Sequence, residues 1–210
     1  MLRLLILCLA AAAPLGASAL DRHVPGDYAT VSAALDAAQA GDVIVVGPGV
    51  FPLATSRSGI QLTIRGAGMT STVLGSGSAV LSLTDSTLVL EDLTVRDGPD
   101  GIGAVRSDVT LRRVRIELAS DGVDLSDSSL TATDSEFVDN SDDGIDLDDQ
   151  SSLSCMRCTI TDNGDDGIEV RLHDFVGPLL EIEVGWSRIE RNEKSGRTFP
   201  TSARWAARSA

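Results

Sequence analysis

Between Leu88 and Ile189 the apolar residues recur in a fixed frame. Folded on its own repeat, the chain aligns Leu88, Val109, Leu130, Leu153 and Ile182 in one column and Leu90, Leu111, Ala132, Cys155 and Val184 in the next. Three residues on stand Leu93, Val114, Ser135, Cys158 and Ser187, and then Val95, Ile116, Phe137, Ile160 and Ile189. The rule within a unit is apolar-x-apolar-x-x-apolar-x-apolar, which predicts two alternating strands joined at a corner. A polar turn follows, then "DGIGAV" from Asp100, "DGVDLS" from Asp121, "DGIDLD" from Asp143 and "DGIEVR" from Asp166, each a third short strand. The glycines Gly101, Gly122, Gly144 and Gly167 are spaced 21, 22 and 23 residues apart, with Gly144 expected to permit the bend. A period of about 22 residues with three short strands per turn predicts an all-β fold, a right-handed parallel β-helix. A leucine-rich repeat needs Leu-x-x-Leu-x-Leu with a fixed Asn or Cys, which these units lack.

The entry to the solenoid reads differently. Val31, Ala34, Leu35 and Ala38 share one side of a predicted helix near residues 30–40, suited to plug the apolar end of the coils and cover their strand edges. Around it, "VPGDYATVSAALDAAQAGDVIVVGPGVF" at 24–51 and "IQLTIRGAGMTSTVL" at 60–74 resemble the start of pectin-lyase-like β-helix proteins. The resemblance extends over residues 24–196 and implies the fold. It does not select an activity, because that superfamily holds lyases, hydrolases, esterases, epimerases and proteins without known chemistry. The expected division is a signal peptide at 1–19, the cap helix and first coil at 20–59, β-helix repeats at 60–196 and a non-repetitive basic tail at 197–210.

Arg3, the following apolar run and Ala17-Ser18-Ala19 have the pattern of a secretory signal, with cleavage expected before Leu20. No later apolar run is long enough for a transmembrane segment, so the chain is expected to be secreted, periplasmic or at the cell surface. The net charge of −14 argues against nucleic acid, whose phosphates need basic side chains, and favours cations. Cys155 and Cys158 are expected to be structural or disulfide-bonded in an oxidising compartment, with a redox or zinc site as the alternative. At the far end Gly196 arrives in phase, but Arg197 takes the column of Ile102, Val123, Ile145 and Ile168. No cap is legible there, so a partner or further repeats are expected to cover the last coil.

Stacked coils place matching side chains about 4.8 Å apart, so each outward column carries a readable charge sequence. Asp92, Arg113, Asp134 and Arg157 alternate in sign; Arg115 is expected to meet Glu136, and Arg96 to meet Glu117. The third strand does not alternate. Its outward column is Gly103, Asp124, Asp146 and Glu169, beside the turn column Asp100, Asp121, Asp143 and Asp166, with no basic residue between them. Like charges about 5 Å apart repel by about 3 kcal/mol at an effective dielectric of about 20, so the column calls for a cation or for raised carboxylate pKa values. Calcium is the expected ion, with Asp124, Asp143, Asp146, Asp166 and Glu169 as ligands. For the turn aspartates, a plain turn role is the alternative.

After Glu169 the coil swells, placing Arg171, His173, Asp174 and Phe175 beside the acidic strand. His173, Asp174 and Phe175 are candidates for ligand binding, or Phe175 simply covers core. The resemblance to pectate-lyase-like enzymes implies calcium on a strand face that neutralises a uronate carboxyl group, with Arg171 as the candidate base. "NSDDGID" resembles a polygalacturonase segment, but the Gly-His-Gly and Arg-x-Lys motifs of those hydrolases have no counterpart here. The expected function is a non-catalytic, calcium-stabilised module that binds polysaccharide, acidic polysaccharide in particular, or serves as a surface module. The alternative is a calcium-dependent uronate lyase acting by β-elimination.

Overall fold

The computed structural model describes residues 19–75, 81–172, 180–193 and 202–207. The expected signal peptide, the insertion residues His173, Asp174 and Phe175, and the phase-breaking Gly196 and Arg197 lie outside the described residues. The chain forms a parallel β-solenoid with one short helix, Val31–Ala37. Thr30 caps that helix by accepting from the Ala33 N–H at 3.1 Å, and Val31, Ala34 and Leu35 turn into the core. Asp42 holds the entry together: its carboxylate, 3% exposed, accepts from Leu20 N and Gln39 N at 2.9 Å and from Arg22 Nε at 2.6 Å. Those donors, Gln39 first, hold the Asp42 pKa down at about 2. Among the described residues no helix is long and apolar enough to cross a membrane.

The Leu88, Leu90 and Val95 columns expected from the sequence are observed registers throughout, and Leu93 pairs with Val114. Val109 pairs with Leu88 and Leu130, Leu130 with Leu153, and Leu153 with Ile182. On the second face Val95, Ile116, Phe137, Ile160 and Ile189 pair in order. The first two faces belong to one hydrogen-bonded sheet, because Thr87–Arg96 and Asp108–Glu117 run through the corner without a break. The third face is a separate six-stranded sheet: Thr55–Ser58, Leu81–Thr84, Asp100–Val105, Asp121–Ser126, Ile145–Asp148 and Ile168–Arg171. Cys155 and Cys158 are joined in a disulfide within the buried columns, which decides for the structural reading.

Corners are made by single left-handed residues. Of the fourteen non-glycine residues with positive φ among the described residues, eight are aspartates, including Asp85, Asp92, Asp134 and Asp162, which accounts for part of the chain's acidity. Asp tolerates this backbone because its short polar side chain satisfies local groups. An arginine stands at the same corner of the next coil in several cases and closes a two-bonded pair: Arg113 with Asp92 at 2.6 and 2.8 Å, Arg157 with Asp134 at 2.6 and 2.7 Å. Arg106–Asp85 and Arg191–Asp162 repeat the arrangement on the other corners. The expected Arg115–Glu136 pair forms at 2.6 Å, whereas Arg96, although in register with Glu117, turns to Asp97 at 3.4 Å. Glu117 is taken instead by Arg115 of its own strand.

The expectation for the glycines needs correction. Gly101, Gly122, Gly144 and Gly167 are not left-handed and do not make the bend. They are needed for close approach: a Cβ on Gly144 would lie 2.7 Å from Gly167 O and 2.8 Å from both Asn163 Nδ2 and Ile160 Cγ2. The tail, expected to be non-repetitive and with no cap legible, adds an antiparallel strand, Ser202–Ala207, to Leu180–Gly185. A returning strand satisfies the backbone groups that a parallel coil leaves open at its last edge.

Buried polar ladders complete the coils. Ser86, Ser107 and Ser128 each donate a backbone N–H to the serine hydroxyl of the following coil, ending at Ser151. Asn140 Nδ2 donates to Asn163 Oδ1 at 3.0 Å, and Asn163 Nδ2 to Asn192 Oδ1 at 2.8 Å, while the same oxygens accept backbone N–H groups. Asn163 also donates to Phe137 O at 3.2 Å, so its amide is fully used. Replacing it strands several buried groups at once, and Asn163→Ala is expected to cost about 3 kcal/mol in chemical unfolding. An unchanged unfolding midpoint would show that the ladder contributes nothing.

Candidate functional site

The third face alternates strictly, so Val123, Leu125, Ile145 and Leu147 enter the core and their neighbours face out. The outward column Gly103, Asp124, Asp146, Glu169 is in register, as the repeat predicts. Beside it runs a second outward column, Val105, Ser126, Asp148 and Arg171. Asp146 faces away from the core yet is only 1% exposed.

Arg171 changes the charge picture. Its Nη2 contacts Asp146, its Nη1 lies 2.9 Å from Glu169 Oε2 and its Nε 3.0 Å from Asp148 Oδ1. No basic residue stands in the outward column, as expected, but the guanidinium of Arg171 reaches into it diagonally from the neighbouring column. One arginine does not balance the face, because Asp124, Asp146, Asp148 and Glu169 all belong to it. The crowding appears as raised carboxyl pKa values. Burial raises the Asp124 pKa, helped by the carboxylates of Asp148 and Asp121. Asp100 is pushed up to about 6 by burial and by Asp124 and Asp121. Asp143 reaches about 7, through burial first and the Glu169 carboxylate next, against the Asp166 N–H that it accepts at 2.7 Å.

Five of the residues expected from sequence converge: Asp124, Asp143, Asp146, Glu169 and Arg171. Their carboxylates form two overlapping donor groups, Asp124–Asp146–Asp148 and Asp143–Asp146–Glu169, whose oxygens lie within 4.8 Å of one another. A third group, Asp142–Asp143–Asp165, sits on the adjoining turn. Asp166 enters none of these groups among the described residues. In the turn column, Asp121 accepts the Asp143 N–H at 2.9 Å and Asp143 that of Asp166, a backbone role of the kind turn aspartates serve. Asp148, which joins Asp146 in one donor group, was missed, although its place two residues beyond Asp146 puts it on the same face.

A hard divalent cation fits the donors on one observation. Asp146 Oδ1 is buried and has no hydrogen-bond partner, and Asp146 belongs to both donor groups. An orphaned carboxylate oxygen is costly unless something positive meets it. The donors are all oxygens with neither His nor Cys among them, the set that calcium takes.

Parallel coils with three strand faces, two in one hydrogen-bonded sheet and the third in another, make the fold a parallel β-helix. The chain belongs to the family described as the right-handed β-helix region, whose model matches residues 56–196. Among solved structures, pectate lyase Pel9A is similar at a TM-score of 0.51 and 13% identity, a likeness that shows the fold alone. The alignment covers 82% of this chain and 64% of that one, so the chain spans about two thirds of its length. No curated protein matches the chain.

The raised carboxylates fix the pH response of the metal-free protein. Unfolded Asp loses its proton near pH 3.9, whereas Asp100 and Asp143 hold theirs to about 6 and about 7. Between those values the unfolded chain binds fewer protons than the folded one, so their contribution to stability falls as pH rises. In chelator, the melting temperature is expected to be lower at about pH 8 than at about pH 5, and Asp143→Asn is expected to flatten the difference. Calorimetry showing a rise over that interval would contradict the assignment.

Proposed function

We propose that the protein is an exported β-helix module that holds calcium on the acidic face of its third strand column and binds acidic polysaccharide there. The observation that carries the reading is Asp146, a buried carboxylate with an unpartnered oxygen, shared by two groups of carboxylates from adjacent coils. Asp124, Asp146, Asp148, Asp143 and Glu169 would hold the ion. When bound, calcium supplies positive charge that a uronate carboxyl group can share with the protein. A chain of net charge −14 needs such a bridge to approach a polyanion. Export is supported by the signal-like residues 1–19, and the glycan class by the resemblance of the entry coils to pectin-lyase-like proteins and by the fold likeness to a pectate lyase.

The β-elimination reading requires a base that takes the proton α to the uronate carboxyl group. Arg171 is the candidate, and its three nitrogens face Asp146, Asp148 and Glu169, which makes it a charge partner in this arrangement. That engagement favours binding over catalysis.

Thermal melting of the purified protein with saturating calcium, against chelator, is expected to give a rise of about 5–10 °C. Asp146→Asn is expected to lose most of that rise. An equal melting temperature in calcium and chelator would sink the metal reading. With calcium present, polygalacturonate should bind in calorimetry without the ultraviolet absorbance of an unsaturated product; steady growth of that absorbance would establish the lyase instead.

A further inference from the structure

The site contains its own competitor. Arg171 ends the last strand of the third face and is 44% exposed at its side chain, while the carboxylate it meets on Asp146 is 1% exposed. Its guanidinium is spread over both donor groups: Asp146 is common to the two, Asp148 belongs to one and Glu169 to the other. Any ion drawing on Asp146 with either neighbour therefore gathers on carboxylates that Arg171 already engages, and its charge is set against the guanidinium's. The arginine leaves the site underfilled, because Asp146 Oδ1 has no partner and Asp124, in the same donor group, does not appear among the carboxylates it contacts.

We infer that Arg171 is a resident counter-ion that a divalent cation has to displace, so that this one side chain sets the cation concentration at which the face is occupied. The inference rests on the calcium reading of the same site and adds who occupies it beforehand. A guanidinium offers donors in one plane and cannot be enclosed by carboxylates from several directions, whereas calcium accepts six to eight oxygens in flexible geometry. Exchange therefore converts a planar, partly filled arrangement into one that uses Asp146 Oδ1. The arginine can leave because its side chain is half exposed at the end of the sheet, and a long stem lets its head move into solvent.

The test is a calorimetric titration of calcium alone into the full chain and into Arg171→Ala and Arg171→Lys, at fixed low ionic strength, with melting in chelator as a check that each variant folds. Arg171→Ala is expected to bind calcium about tenfold or more tightly than the wild type, since binding no longer expels a positive group. Arg171→Lys keeps the charge but loses the three-way fork, and its affinity should fall between the two. In chelator Arg171→Ala should melt below the wild type, and calcium should raise its melting temperature by more. Equal or weaker calcium affinity in Arg171→Ala overturns the inference while leaving the calcium reading intact. Calcium binding to neither protein overturns both. Binding to the variant alone upholds the competition and rejects calcium occupancy in the wild type.

Discussion

Each residue of this fold lies directly over its equivalent in the coil below, about 4.8 Å away and hydrogen-bonded to it in parallel. That single constraint decides which residues a position can hold. A column must be compatible with itself, and the chain meets the requirement in several ways. Aliphatic residues stack in the inward columns of the three faces. Asn140, Asn163 and Asn192 stack because a carboxamide both donates and accepts, so identical neighbours satisfy one another. Serines stack because each hydroxyl accepts the backbone N–H of the serine in the preceding coil. Charged residues cannot stack on themselves, and the corners alternate Asp with Arg.

The third face breaks this rule where an alternative was plainly accessible. Asp92, Arg113, Asp134 and Arg157 show that the same chain alternates charge over four coils on another corner. Yet Asp124, Asp146 and Glu169 follow one another in register, with one arginine reaching in from the side. The cost is visible in carboxyl pKa values pushed upward, Asp143 to about 7 and Asp100 to about 6. Exposed corner pairs each contribute about 0.2–1 kcal/mol, so the acidic face is not offset by their sum in any obvious way. It is a local departure from a rule that the same chain keeps at its corners.

The architecture was legible because period and alternation are properties of the chain alone. A misplacement by one residue would have turned every inward column outward, and none of the columns from Leu88 to Ile189 slipped. The site was legible to the same depth: the vertical column was found, the diagonal one was not. Arg171 stands in register with Asp148, and only its side-chain length brings it to Asp146 and Glu169. Reading columns one at a time has no means of seeing such a reach. The asparagine ladder was hidden for a related reason. Asn140, Asn163 and Asn192 sit in polar turns where Asn is expected anyway, and the widening spacing between them blurs the repeat. For the glycines the residue was right and the cause was not: crowding from the neighbouring coil, rather than backbone sign, excludes a side chain.

Position along the solenoid gives the acidic face its consequence. The outward column runs uncharged through Ser56, Ser82 and Gly103 and then carries one carboxylate per coil at Asp124, Asp146 and Glu169. Each added coil therefore increases the repulsion felt by the one before it, while the carboxylate in the middle, Asp146, is the least exposed and has acidic residues both above and below. In such a stack the central residue gains most from a shared cation, because one ion can screen it from both neighbours at once, whereas a side chain anchored at the end can approach from one direction only. The orphaned oxygen of Asp146 is the geometric expression of that difference.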